Sequence, residues 1–381
     1  MTDLALTSEQ RQYLELARDF TQNEIAPRSS ACDHSRQLPL DLCRKAFDVG
    51  LMNVRIPERY GGLGLSLFDT CVIFEELGAG CTGIASAFEG NELFAAPVMV
   101  AGTDEQKKQF LEPLAQEFCL SGYCFAEPGF AADGATISAQ AKRSGGSFVL
   151  SGKQLLALNA SQARWLFVLA LDGQGESLAF VVPCDSAGVV IGERIAHFGR
   201  SAADLRQISF DNVEVAAEGL LGSAGQGLKI AREARLATAP ILGSEAVGIG
   251  RAAFENARRY AWERTTFAQP IGSYQAISFM LADMEREIET ARLLCWKAAW
   301  LVDNGMPSLT QSLMAKTYAS DMAMKAATDA VQIYGGYGYS REYPVEKLMR
   351  DAKMFQIFEG TSQSLRVELG RQLLRAECRH I

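Results

Sequence analysis

The chain has 381 residues, of which 48% are hydrophobic and 22% charged; this balance supports a sizeable core and excludes a disordered chain. Acidic residues outnumber basic ones, 45 against 37, for a net charge of −8. Phosphate-backbone binding needs a basic surface, so no nucleic-acid partner is expected.

At roughly 150 residues per domain, the length predicts two or three domains. No run of about 18 consecutive apolar residues occurs, so no membrane span is expected. Met1-Thr2-Asp3-Leu4 has neither the basic segment nor the long apolar run of a secretory leader. A bacterial-type cytoplasmic location is expected, the mature form of a mitochondrial protein being the alternative. The nine cysteines form no CxxC pair, and His34, His197 and His380 are far apart. Free thiols in a reducing compartment are expected, and a metal site is not.

Residues 1–117 read as helical. Thr7 with Gln10 forms a capping box, and Leu14, Ala17 and Phe20 recur behind it at helical spacing. The loop from Arg55 to Gly64 is marked by Pro57 and its glycines, and Phe68 to Leu77 resumes helix. Residues 118–226 change character. Apolar, β-branched runs at Phe148–Leu150, Trp165–Leu171, Leu178–Val182, Gly188–Ile191, Ile208–Phe210 and Val213–Val215 alternate with turn residues, which predicts a small barrel or sandwich. Residues 227–381 are helical again. Ile277, Met280, Leu281, Met284, Ile288, Ala291, Leu294 and Ala298 hold one face, Asp303-Asn304-Gly305 stops the helix and Pro307-Ser308 restarts it. Leu293 and Trp296 add apolar positions on other faces, as in a helix buried in a bundle or at a subunit interface.

Three segments carry chemical potential. Glu359 lies between Phe358 and Gly360; apolar surroundings would destabilise its charged form and raise its pKa towards that of a useful base, whereas a loop Glu facing water would do nothing. The glycines of Gln332-Ile333-Tyr334-Gly335-Gly336 either admit a phosphate close to the backbone or simply end a helix. Arg264-Thr265-Thr266-Phe267 offers a guanidinium fork for pyrophosphate and an aromatic face for a base, or a plain surface arginine. GxGxxG, P-loop, nucleophile-elbow and HExxH patterns are absent from the sequence. Taken singly, these residues leave the reaction open.

Taken in order, the segments resemble the acyl-CoA dehydrogenase family over essentially the whole chain, most closely its medium- and short-chain members. The resemblance rests on Ile56-Pro57-Glu58 to Gly61-Gly62-Leu63-Gly64, Glu89-Gly90-Asn91, Tyr123-Cys124 with Glu127-Pro128-Gly129, Glu263 to Phe267, and Ala327 to Gln363. It implies a mostly α fold with a central β domain: an N-terminal helical domain, a β-barrel domain and a C-terminal four-helix bundle. It also implies a homotetramer, a dimer of dimers, that shares each FAD across a subunit boundary. By resemblance Glu359 abstracts the α-proton of an acyl-CoA, the β-hydride passes to FAD, and electron-transfer flavoprotein reoxidises it. An acyl-carrier-protein thioester is the alternative substrate. The Glu359 backbone N–H and a flavin hydroxyl would polarise the thioester carbonyl.

Residue by residue, the resemblance assigns Arg264, Phe267, Gln275, Gln332, Gly336, Thr361 and Gln363 to the nucleotide side of FAD. It assigns Glu89, Phe358 and Gly360 to the substrate, Glu89 at the cavity floor, with a short-to-medium linear acyl group expected. Around the flavin ring the chain departs from the pattern. Ala126, Ala132, Leu156 and Leu158 replace polar or aromatic residues, and Leu236 and Ala239 stand where the family has Asp and an Arg near the base. The departures leave two alternatives to oxidation: a flavin-free or flavin-impaired member catalysing elimination, isomerisation or hydration, and a non-catalytic partner subunit.

Overall fold

The computed structural model describes residues 6–125 and 137–377. Helices α1 (Ser8–Phe20), α2 (Ala26–Ser35), α3 (Leu40–Asp48), α4 (Leu67–Ala101) and α5 (Asp104–Gln116) come first. The expected capping box opens α1: the Gln10 N–H donates to Thr7 Oγ1 at 3.1 Å and the Thr7 N–H to Gln10 Oε1 at 3.0 Å. Ser66 with Asp69 and Thr103 with Gln106 repeat the device at α4 and α5. Helix α4 is long and apolar enough to cross a membrane, yet 89% of its most apolar stretch is buried inside the fold, which makes it the core helix. It is broken at Cys81, where the backbone is extended.

The sheet follows: β1 (Leu120–Phe125), β2 (Gln140–Ser144), β3 (Ser147–Leu158), β4 (Ala163–Leu171), β5 (Ser177–Pro183), β6 (Val189–Arg194), β7 (Leu205–Ala216) and β8 (Leu220–Leu221). Its strand order is β6-β7-β3-β1-β4-β5-β8, and β2 pairs with both β3 and β4. The β2–β4 link, at Gln140 and Leu171, closes a ring through β1, β3, β2 and β4, so the sheet curls back on itself as a barrel would. Phe148, Leu150, Leu166, Val168, Phe180, Ile208 and Phe210 from β3, β4, β5 and β7 pack in one buried cluster.

The last layer is α6 (Gly227–Glu263), the hairpin β9 (Thr265–Thr266) and β10 (Gln269–Pro270), then α7 (Gln275–Asp303), α8 (Leu309–Tyr334), α9 (Val345–Phe355) and α10 (Ser362–Glu377). The apolar face of α7 is buried at Met284, Ile288, Ala291, Cys295 and Ala298, while Ile277, Met280 and Leu281 are only partly covered. Cys32, Cys43, Cys71, Cys81, Cys119, Cys124, Cys184 and Cys295 are free thiols.

Helices α4 and α6 cross in backbone contact. A Cβ on Gly78 would stand 2.4 Å from the Glu245 carbonyl oxygen, and one on Gly248 2.2 Å from that of Glu75. This approach brings charged side chains of both helices within reach of one another; Arg251, for example, pairs with Glu76 at 2.6 Å.

One side chain from the β layer enters that seam. Arg200, on the connection between β6 and β7, is buried and pairs with Glu89 of α4 at 2.5 Å and Glu245 of α6 at 3.4 Å. Its Nε donates to the Thr82 carbonyl at 3.0 Å, and its own N–H to the Asp351 carboxylate of α9. Asp351 is held in turn by Lys347 at 2.6 Å. Burial pushes the Glu245 carboxyl well up, with Arg200 pulling it down. Arg200→Met leaves Glu89 and Glu245 buried without their cation, so stability should fall by about 3–5 kcal/mol. Urea unfolding checks this; a loss below about 1 kcal/mol would contradict the pairing.

Candidate active site

Between α9 and α10 the chain turns through residues 356–361. Glu359 lies in the left-handed region at φ 52°, followed by Gly360 at φ 97°. A non-glycine residue there costs about 1–3 kcal/mol and persists only where its surroundings over-determine it. A side chain at Gly360 would be strained by its φ, and its Cβ would push on Leu365 Cδ2 from 2.6 Å. The loop is held from α8 by the fully buried Lys316, whose Nζ donates to the carbonyls of Phe355, Phe358 and Gly360 at 2.7, 2.8 and 2.7 Å. Asp321, one turn further along α8, accepts from Gln356 Nε2 at 2.7 Å and from Ser362 Oγ at 3.2 Å.

The Glu359 side chain is buried. Arg235 of α6 places its Nε 3.9 Å from the carboxylate. The hydroxyl of Tyr123, on β1, donates to it. Burial raises the Glu359 pKa above the ordinary carboxylate range; Arg235 and Lys316 pull it down, Glu89 pushes it up, and the Tyr123 bond lowers it. Burial in turn pushes the Tyr123 phenol well up, so it stays a donor. The enclosure therefore differs from the purely apolar one that Phe358 and Gly360 suggest: two cations and a phenol face the carboxylate.

Ala239 stands where the resemblance expects an arginine near Glu359, and the structure puts Arg235 beside that carboxylate. Residues 235 and 239 lie one turn apart on the same face of α6, so the guanidinium reaches Glu359 from the neighbouring turn. Tyr123 and Lys316 were also not singled out as site residues in the sequence. Lys316 left one signal, a charge in the apolar run Leu313-Met314-Ala315, on a helix whose neighbouring positions are buried.

Among the substrate-side residues, Phe358 and Gly360 flank Glu359 and present their carbonyls to Lys316. Glu89 acts on Glu359 through its charge, but its carboxylate is engaged by Arg200. Thr361 caps α10, its Oγ1 accepting from the Ser364 N–H at 3.0 Å, and Gln363 is exposed.

The remaining residues of the nucleotide side gather at one corner of the helical layer. Arg264 ends α6, Phe267 sits at the tip of the β9–β10 hairpin, and Gln275 opens α7. Tyr260 stacks on Tyr334 with ring centroids 4.0 Å apart, joining this corner to the end of α8, where Gln332 and Gly336 lie. Arg264, Phe267, Gln275, Gln332 and Gly336 are all exposed. Packing within the chain accounts for few of them. The turn residues Phe267 and Ala268 have φ 49° and 65°, a turn that favours Asn and Gly, yet it holds a phenylalanine that is 95% exposed. A Cβ on Gly336 would meet nothing within 4 Å. Donors, an exposed aromatic ring and an open glycine fit a nucleotide approaching from outside the chain.

On the side assigned to the flavin ring, Leu156 and Leu158 lie on β3 opposite Phe125 and Tyr123 of β1. Leu158 is buried and Leu156 half-buried, so they offer apolar surface and no side-chain donor. Ala126 and Ala132 lie outside the described residues. Among the described residues no group of His, Cys, Asp and Glu is placed to hold a metal ion.

Comparison with known proteins agrees over both helical layers. The family model "Acyl-CoA dehydrogenase, C-terminal domain" matches residues 225–374, and "Acyl-CoA dehydrogenase, N-terminal domain" matches residues 7–117. The probable acyl-CoA dehydrogenase YngJ of Bacillus subtilis is 38% identical over 381 residues, covering 97% of this chain and 99% of its own. The structure of butyryl-CoA dehydrogenase from Megasphaera elsdenii superposes with a TM-score of 0.94 at 34% identity, covering 98% of this chain and all of its own. An acyl-CoA dehydrogenase of Bacillus anthracis complexed with FAD superposes with a TM-score of 0.91 at 27% identity, covering all of this chain and 69% of its own.

Arg235→Met removes the cation that lowers the Glu359 pKa most. The Glu359 titration should move to higher pH. Infrared titration of the carboxyl band, with Glu359→Gln as the blank, reads the shift, and an unmoved titration would contradict the pairing.

Proposed function

The chain belongs to the acyl-CoA dehydrogenase family, and we propose that it is an FAD-dependent oxidoreductase in which Glu359 removes the α-proton of an acyl thioester. The observation that carries this reading is the left-handed, buried Glu359 itself, held on both sides and facing Arg235 and Tyr123. Strain kept at one carboxylate, with this much machinery to hold it, has no account in packing alone.

FAD, when bound, supplies the acceptor for the electron pair leaving Cβ. Arg264, Phe267, Gln275, Gln332 and Gly336, with Thr361 and Gln363, would hold its nucleotide side. Leu156 and Leu158 would give the ring an apolar wall. The sharing of each FAD across a subunit boundary that the resemblance implies suits the exposure of the first five residues and a homotetramer, with electron-transfer flavoprotein as the redox partner.

The chain's own residues handle the proton. The Glu359 carboxylate accepts it from Cα. Arg235 and Lys316 keep enough of Glu359 ionised to act, and burial keeps it basic. The Glu359 backbone N–H is the chain's donor to the thioester oxygen, where charge gathers as the proton leaves. Because the base must be ionised and its pKa is raised, activity falls on the acid side at a pH above the ordinary carboxylate range.

Butyryl-CoA is the natural first substrate, since a butyryl-CoA dehydrogenase matches the chain from end to end. Glu359→Gln should lower both its oxidation and its α-proton exchange in deuterated water by about 10²-fold or more. Exchange at the wild-type rate would remove Glu359 from its role. A colourless protein that exchanges α-protons but reduces no acceptor would favour the non-redox alternative. Light scattering of the purified protein should give a multiple of the 41.4 kDa chain mass, and a monomer would count against sharing of the cofactor.

A further inference from the structure

One buried group close to Glu359 has so far only a structural part. Lys316 lies in the middle of α8, fully buried. Its Nζ makes three hydrogen bonds, all to carbonyls of the Glu359 loop: Phe355 before it, Phe358 next to it and Gly360 after it. An ammonium has three donors, so the loop uses all of them. Three carbonyls converging on one nitrogen fix the backbone on both sides of a residue at φ 52°, the arrangement a strained conformation needs in order to persist.

We propose that Lys316 is a positioning residue of the reaction: its ammonium clamps the backbone on either side of Glu359 into the left-handed turn, with its positive charge facing the carboxylate. The inference rests on Glu359 being the base. Lys316 faces Glu359 of the loop, Arg235 of α6, Glu89 of α4 and Asp321 of its own helix. Burial is the largest influence on the amine and lowers its pKa to about 7, with Glu359 pulling the other way. The Lys316 ammonium and the Glu359 carboxylate each favour the charged form of the other. A methionine packs the same space with neither donors nor charge.

The test uses FAD-loaded wild type, Lys316→Met and Lys316→Arg, with butyryl-CoA as the probe and an artificial one-electron acceptor. In Lys316→Met, kcat should fall by about 10- to 100-fold, because a loop misplaced by an ångström costs that much. KM should stay within about threefold, since Lys316 sits behind the loop. The acidic limb of the kcat–pH profile should move up by about half a unit or more, because the cation that lowers the Glu359 pKa is gone. Amide hydrogen exchange over residues 356–362, measured without substrate, should quicken. Lys316→Arg keeps the charge but cannot aim three N–H groups from one nitrogen. It should leave the limb in place while kcat falls by about 3- to 10-fold. A Lys316→Met enzyme with an unmoved limb and unchanged loop exchange would overturn the proposal, whatever its melting temperature. Should that variant not fold, Lys316→Arg decides: wild-type kcat with wild-type loop exchange overturns it. If the wild type itself acts on no thioester, the functional reading fails separately, and loop exchange alone judges the clamp.

Discussion

A single guanidinium joins the three layers of this molecule. Arg200 comes from the β layer, yet its partners are Glu89 and Glu245 on the two long helices and, through its backbone, Asp351 on α9. The seam it enters exists only because Gly78 and Gly248 let α4 and α6 touch. Helix α9 leads directly into the Glu359 loop, and α6 carries Arg235. The position of the candidate base thus depends in part on a contact that none of its own loop residues makes. A buried ion pair is a weak source of net stability, but breaking one is costly, which makes it suited to fixing register between layers.

Two buried glutamates on this framework have opposite fates. Glu245 is buried beside a second carboxylate with one shared arginine, so its pKa is pushed well up. Glu359 faces Arg235, Lys316 and Tyr123, so the cost of burying its charge is partly offset. The same side chain is silenced in one place and poised in the other by which neighbours are cations. Environments that push like groups apart in pKa are how a single residue type fills both structural and acid–base roles.

Local features were legible in the sequence. The Thr7–Gln10 cap, the stop at Asn304-Gly305 and the alternation of the strands depend on near neighbours, and the structure has them. The family pattern located Glu359 and the exposed corner at Arg264 and Phe267. What the sequence hid are pairings across long separations. Arg200 reads as an ordinary loop arginine, and nothing near it names Glu89 or Glu245. Arg235 was masked by a one-turn shift along α6, which a position-by-position comparison scores as a loss although the helix face is unchanged. Lys316 was hidden for another reason: its partners are main-chain carbonyls, which every sequence supplies and none advertises.

The reach of Arg200 along the chain has a consequence for how the molecule assembles itself. Its contact to Glu89 closes 111 residues and its contact to Asp351 closes 151. Loop closures of that length surrender chain entropy well before they are rewarded, so they form late. The turn around Glu359 itself rests on α8 through far shorter closures, those of Lys316 and Asp321. The candidate base is thus held locally, while the layer that carries α9 is tied to the β layer only by contacts drawn from distant parts of the chain.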